Sequence, residues 1–228
     1  MARMVMANVT IVSSMRDSLP GLRAFMSRFY ALAYPPAQLR LIVVEGDSVD
    51  GTPQALREWA DKEKRLRVAT CNTGAPHYGS VIDADRFRVL ATVFNAGMDA
   101  VDLAWSSHVM FVPSDVHYEP DMLDRLMVHD LDIVAPFFWG PGGTWFYDTW
   151  GFSRGGAQFG NFSRSELPAY GDKPIQMDTV GGVILMRAGV LRAGVRYSLD
   201  DVDRGLCRAA QAQGFTVWAD PTTHVRHL

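Results

Sequence analysis

The chain has 228 residues, 48% of them apolar and 21% charged, with 22 basic and 25 acidic side chains for a formal net charge of −3. These values exclude a disordered, collagen-like or coiled-coil chain, and the weak negative charge argues against affinity built mainly on nucleic-acid phosphates. The length allows one or two domains of ~150 residues, and one large α/β domain is the simpler reading.

The segment from Met1 to Val12 has one basic residue and no long apolar run, so it does not read as a signal peptide. Val9 to Val12 predicts a buried strand that ends at Ser13-Ser14. Asp17-Ser18 before Leu19-Pro20 predicts a helix start, Leu22, Phe25, Met26, Phe29 and Leu32 give it one apolar face, and Tyr34-Pro35-Pro36 stops it. Leu39 to Val44 suits a strand buried on both faces, running into the acidic loop Glu45 to Asp50. Thr52-Pro53 predicts a helix with Thr52 as N-cap, followed by a short strand near Leu66 to Ala69 and a loop from Cys71 to Ile82. Phe87, Leu90, Ala91, Phe94 and Met98 mark an amphipathic helix. His108 to Val112 is a strand, Pro120 opens a short helix, and Ile133 to Ala135 is a further strand.

From Trp139 to Lys173 glycines alternate with aromatic residues and no period is visible, the composition of a lid or binding loop. Val180 to Met186 predicts a strand with a glycine pair, Asp200 to Gln213 a helix ended by Gly214, and Phe215 to Ala219 the last strand. No stretch approaches ~20 apolar residues, so no membrane span is expected. Cys71 and Cys207 are too few for a disulfide framework and suit a reducing, cytoplasmic setting as small, buried apolar side chains. Alternating strands and helices imply an α/β fold with an at least partly parallel sheet, whose ligands bind beyond the carboxyl ends of the strands.

Several constellations could carry chemistry there. Glu45 and Asp47, with Asp50, can accept hydrogen bonds from a nucleobase or a ribose, although Asp50 equally suits capping of the turn. Asp115, in Pro113-Ser114-Asp115, offers a hard oxygen ligand to a divalent cation, or a cap for the turn before Pro120. Arg86 and Arg88 have the forked donors that suit a diphosphate, or a solvated helix face. Gly181 and Gly182 let the backbone approach a ligand closely. Asp200, Asp201 and Asp203 suit the first turn of a helix, where acids stabilise the macrodipole. His224 and His227 are competent Mn²⁺ ligands. The aromatic faces of Trp139, Trp145 and Trp150 suit sugars or bases.

In their order these motifs resemble those of family 2 type glycosyltransferases of the GT-A fold. Leu41-Ile42-Val43-Val44-Glu45-Gly46-Asp47-Ser48-Val49-Asp50-Gly51-Thr52 resembles the strand and Asp-Asp-Gly-Ser-x-Asp-Gly-Thr loop of that family. Phe94-Asn95-Ala96-Gly97 resembles its Arg-Asn-x-Gly helix, and Pro113-Ser114-Asp115 its Asp-x-Asp motif with only the last carboxylate kept. Asp178 to Arg187 resembles its Gly-Gly strand, and Asp200-Asp201-Val202-Asp203 its Glu-Asp-x-Asp motif. The glycine pair and the chain end also resemble the mannan-polymerase type of GT-A transferase, and stereochemistry stays open between inverting and retaining.

The resemblance implies one GT-A domain over residues 1–228, with a mixed, mostly parallel sheet and a Gly/aromatic-rich acceptor or lid loop at about 139–173. It implies a hexosyltransferase-type enzyme that moves a sugar from a nucleoside-diphosphate sugar to a hydroxyl acceptor. That acceptor is a glycan, a protein, a lipid-linked sugar or a modified nucleobase. In that reading Ser13, Arg16, Glu45, Asp47, Arg86, Arg88, Asn95, Ser114, Gly181 and Gly182 hold the donor. Asp201, with Asp200, supplies the general base, Trp139, Trp145 and Trp150 meet the acceptor, and Asp115 and His227 bind Mn²⁺ or Mg²⁺. Two other readings stay open. One is a non-catalytic nucleotide- or carbohydrate-binding relative. The other is a nucleotidyltransferase, disfavoured because Ser13-Ser14-Met15-Arg16-Asp17 lacks the glycine-rich loop that chemistry needs.

Overall fold

The computed structural model describes residues 7–78 and 83–228. Part of the expected loop, residues 79–82, and the first six residues of the segment tested for a signal peptide lie outside them. The strands are β1 Val9–Met15, β2 Leu39–Glu45, β3 Leu66–Thr70, β4 His108–Phe111, β5 Val116–Tyr118, β6 Ile133–Trp139, β7 Ser153–Arg154, β8 Ala157–Gln158, β9 Ile175–Gln176, β10 Ile184–Arg187 and β11 Val217–His227. The helices are α1 Leu19–Ala31, α2 Thr52–Lys62, α3 Ala84–Asp99, α4 Met122–Met127, α5 Ala188–Arg192 and α6 Val202–Gln211.

One mixed sheet runs in the order β3-β2-β1-β4-β10-β6-β11-β5, with β9 beside β11 and β7-β8 forming a separate hairpin. The longer ladders are parallel, from β3 across β2 and β1 to β4 and between β6 and β11, while β10 is antiparallel to both its neighbours. Period-two alternation divides β2 between two cores. Leu39, Leu41 and Val43 pack with Leu22, Phe25 and Phe29 of α1 and Trp59 of α2. Ile42 and Val44 pack on the other face with Phe87 and Met98 of α3 and Leu206 of α6. Double burial of this kind is why the strand is apolar at nearly every position.

Gly97 lets α3 lie close to the sheet. A Cβ there would come 2.5 Å from Val12 Cγ1 and 2.9 Å from Val44 Cγ2. Asn95, two residues earlier, exchanges hydrogen bonds of 3.0 and 2.9 Å with the backbone carbonyl and amide of Tyr197, tying α3 to the connection that leads into α6.

The structure differs from the sequence expectation at several boundaries. β1 continues to Met15, so Ser13 and Ser14 lie within it and face opposite ways. α2 begins at Thr52 with Gly51 as the N-cap, and the Asp50 carboxylate accepts the Thr52 amide at 2.8 Å. The glycine-pair strand begins only at Ile184, leaving Gly181 and Gly182 in the preceding loop. β6 extends through Phe137, Phe138 and Trp139, because every residue in it is buried. β11 runs to His227, with its register against β6 shifting between Asp220 and His224 around Pro221. Both cysteines are free thiols. Cys207 is fully buried, whereas Cys71 is half-buried. Among the described residues no helix is long and apolar enough to cross a membrane.

Candidate functional site

The carboxyl ends of β1, β2, β4 and β11 open into two adjoining cavities. The larger, of about 550 Å³, is walled by Ser14, Arg86, Phe87, Phe94, Ser114, Asp115, Phe138, Tyr147, Asp148, Trp150, Gly182, Asp203 and His227. The smaller, of about 260 Å³, is walled by Ser14, Arg16, Gly46, Asp47, Cys71, Thr73, His77, Tyr78 and Arg86. Ser14 and Arg86 line both, so the two cavities adjoin as neighbouring parts of one cleft region. Crevices beyond the carboxyl ends of strands are where open α/β sheets bind ligands.

The wall of the smaller cavity is organised by aspartates. Asp47 sits at φ +57°, a backbone position that aspartate tolerates better than most residues. Its carboxylate accepts from the Thr73 amide at 2.9 Å, the Thr73 hydroxyl at 2.6 Å and the Gly74 amide at 3.0 Å. These bonds, led by the Thr73 hydroxyl, hold its pKa below the ordinary carboxylate value. Asp17, at φ +47°, accepts from the Val49 and Asp50 amides and lies 3.0 Å from His77 Nε2. The Val49 amide is the main cause of its lowered pKa. Both carboxylates thus clamp the β2 loop to its neighbours. Glu45 is buried at the strand end, where it accepts the Ser48 amide at 3.4 Å. Arg16 reaches across to the Pro76 carbonyl at 3.2 Å.

In the larger cavity Asp115 Oδ2 lies 3.3 Å from His227 Nε2, joining the end of β4 to the end of β11. The His227 ring stacks on Tyr147 with centroids 4.7 Å apart. A carboxylate and an imidazole this close, open to a cleft that leaves room for further oxygen donors, fit a divalent cation completed by a ligand's own oxygens. Among the described residues no cluster of three or more His, Cys, Asp or Glu side chains could hold a metal by itself.

At the back of the cavity two carboxylates converge. A Cβ at Gly181 would come 2.5 Å from Asp148 Oδ2 and 3.1 Å from Asp203 Oδ2, and one at Gly151 would come 2.5 Å from Asp148 Oδ2. The glycines make the space that these acids occupy. Asp148 also accepts the Gly151 amide at 2.8 Å. Burial raises the Asp148 pKa to about 6, and burial together with the Asp148 charge raises Asp203 to about 8. Two acids so placed hold one proton between them near neutral pH.

Other expected site residues lie elsewhere. Ser13 is fully buried, and its neighbour Ser14 faces the cleft. Asp201 is turned out of the cleft, paired with Arg208 and 3.9 Å from Arg204, and Asp200 is exposed beside it. Val202, between Asp201 and Asp203, has φ +37°, a strained conformation for a β-branched residue, and it separates the outward acid from the inward one. Arg88 pairs with Asp85 on the outer side of α3 at 2.9 Å. Asn95 serves the backbone of Tyr197. Trp139 is a correction. At 1% exposure its ring belongs to the core, and its indole N–H donates to His224 Nδ1 at 3.0 Å. Trp145 and Trp150 are exposed, and Trp150 alone of the three lines the cleft, stacked on Phe87 with centroids 5.4 Å apart.

No protein-family model matches the sequence, and no curated protein matches it either. Solved structures do match. TarS from S. aureus, in complex with UDP-GlcNAc, superposes with a TM-score of 0.64 at 13% identity, over 96% of this chain and 58% of that one. The mannosyltransferase PcManGT from Pyrobaculum calidifontis, in complex with GDP-Man and Mn²⁺, superposes with a TM-score of 0.64 at 14% identity, over 98% of this chain and 57% of that one. Both are GT-A type glycosyltransferases. The chain has the GT-A glycosyltransferase fold. It spans less than two thirds of the length of the two GT-A chains it matches.

Within that fold Asp148 and Asp203 are the cleft carboxylates that sequence reasoning did not assign to the site. Asp203 was visible as the last acid of the motif read around Asp201. Asp148 carried no signal, because its neighbours in the aromatic loop show no period and its glycine partners Gly151 and Gly181 meet it only in three dimensions.

Proposed function

We propose that the chain is a glycosyltransferase of hexosyltransferase type that binds a nucleoside-diphosphate sugar in the cleft and transfers the sugar to a hydroxyl acceptor. The observation that carries this reading is the adjacency of the two cavities, in which a polar, aspartate-organised cavity shares the Ser14 and Arg86 wall with one holding Asp115, His227 and a half-buried carboxylate pair. Donor complexes of the structural neighbours, one with UDP-GlcNAc and one with GDP-Man and Mn²⁺, support it.

In this reading the nucleoside lies against Ser14, Arg16 and the clamped Asp47 loop, and Arg86 meets the diphosphate with its forked donors. Asp115 and His227 would hold Mn²⁺ or Mg²⁺, which supplies charge neutralisation to the departing diphosphate. The Asp148–Asp203 pair takes the proton of the acceptor hydroxyl as its oxygen bonds to the anomeric carbon. The bond from that carbon to the diphosphate oxygen breaks, and its electron pair leaves with the nucleotide. A carboxylate tuned towards neutrality suits that transfer. Trp150 offers an exposed ring at the cleft mouth for the acceptor, which is a glycan, a protein, a lipid-linked sugar or a modified nucleobase.

Asp201 is the alternative base that its motif suggests, and paired variants separate the two. D203N is expected to lose at least 100-fold in transfer, the scale of one acid–base group, while retaining donor binding, and D201N to keep most activity. Loss in D201N with activity kept in D203N would return the base to Asp201. No donor turnover in the wild-type chain, together with unimpaired nucleotide binding, would favour the non-catalytic reading.

A further inference from the structure

A third cavity, of about 370 Å³, lies on the opposite side of β11 from His227 and shares no lining residue with the cleft. Three arginines line it, Arg125, Arg164 and Arg226. Arg125 is held in place, donating to the Thr222 carbonyl at 2.6 Å and the Thr223 hydroxyl at 3.3 Å, with Asp121 at 3.6 Å. Among the described residues neither Arg164 nor Arg226 has a carboxylate within 4.0 Å, and the Arg164 guanidinium lies over the Trp139 ring, 5.8 Å from its centroid. They approach one another over Gly143, where a Cβ would lie 3.7 Å from Arg164 Nη1 and 3.7 Å from Arg226 Cδ.

His224 supplies a further donor. An indole N–H can only donate, so the 3.0 Å bond from Trp139 Nε1 makes His224 Nδ1 the acceptor and places the imidazole proton on Nε2. The positive field is felt at this ring, where burial first, then Arg164 and Arg125, lower its pKa to about 4. Glu119 and Asp121 also line the cavity, and Asp121 is engaged by Arg125. The groups without a carboxylate partner are therefore the guanidiniums of Arg164 and Arg226 and the imidazole N–H of His224, with His117 also lining the cavity, against the carboxylate of Glu119. Forked donors of this kind match the oxygens of a tetrahedral oxyanion.

We infer that this cavity is an oxyanion site of the phosphate class, taking inorganic phosphate or a phosphate monoester on Arg164, Arg226 and the Nε2–H of His224. The inference does not depend on the glycosyltransferase reading, since no residue of the cleft takes part.

The test uses the full chain, with ¹⁵N spectra of the histidine rings and tryptophan indoles recorded during titration with inorganic phosphate and, separately, glycerol 3-phosphate. Sodium chloride of matched ionic strength is the control. Saturable shifts of the His224 ring and the Trp139 indole are expected, with affinity weakened by about tenfold or more in R164A/R226A. Circular dichroism and thermal unfolding of that variant confirm its fold, both side chains being exposed. Tighter binding of one probe assigns the site to the free ion or to the monoester. The proposal is overturned if neither probe saturates at millimolar concentration. It also fails if chloride reproduces the shifts, or if the folded double variant binds as well as the wild type.

Discussion

At the scale of single residues the feature that most shapes the site is the pair Asp148–Asp203, and it has a signature in stability. Both folded-state pKa values stand above the ordinary carboxylate value of 3.8, so between about pH 4 and pH 8 the folded chain binds more protons than the unfolded one. Stability must then fall as pH rises through that window, the reverse of a salt-bridged aspartate. D203N removes the Asp203 titration, the more strongly raised of the two, while keeping the shape. It is expected to raise the unfolding midpoint at pH 8 relative to wild type and to leave it nearly unchanged at pH 4. An equal effect at both pH values would show that the Asp203 pKa is not raised in the folded chain. The glycines around the pair give a second prediction. G181A places a methyl group 2.5 Å from Asp148 Oδ2 and 3.0 Å from the Gly151 Cα, so the variant should lose turnover and stability together, whereas alanine at Gly155, where nothing lies within 4 Å, suffers only the strain of its own positive φ. Asp115 gives a third. D115A removes one of the two residues that meet at the ends of β4 and β11, and metal-dependent turnover should be abolished. An unchanged rate would remove Asp115 from the metal site.

At the scale of elements the sequence was most readable where one period dominated. The apolar run of β2, the stripes of α1 and α3 and the proline stops gave strands and helices close to their observed bounds, because burial on one or both faces imposes those patterns. The aromatic region between β6 and β9 was not readable. Its rings pack on one another across the chain, Phe146 on Phe162 at 4.8 Å and Phe137 on Tyr170 at 5.7 Å, and that order leaves no trace in local spacing. Trp139 shows the consequence. As a glycine-flanked aromatic it has the composition of a binding residue, yet β6 carries it into the core. Asn95 teaches a similar lesson, since its place in a motif suggests a ligand contact while its amide bridges α3 to the α6 approach. N95A removes both bonds to Tyr197 and is expected to cost about 1–3 kcal/mol in denaturant unfolding. A change near zero would mean that α3 is fixed by its apolar face alone.

At the scale of the whole molecule, motif order proved more informative than any one motif. The incomplete Asp-x-Asp at Ser114-Asp115 and the histidine near the chain end lie 112 residues apart, and the sheet brings them together because β11 runs its full length beside β6 and ends opposite β5. Ser13 and Asp201 show the limit of that legibility. Strand alternation and one strained turn at Val202 decide which of two neighbouring like residues, Ser13 or Ser14 and Asp201 or Asp203, faces the cleft, and spacing alone does not reveal it. The measurement that bears most directly on donor binding in this cleft is thermal unfolding of the wild-type chain and of D115N with a panel of nucleoside diphosphates and their sugars, with and without Mn²⁺. At 100 times Kd a ligand specific to the folded state adds about 2.7 kcal/mol, which for a chain of this size is roughly 5–10 °C. The account predicts such a rise for at least one nucleotide sugar, growing with the logarithm of its concentration, enhanced by Mn²⁺ and reduced in D115N. A flat response to every nucleotide would contradict it.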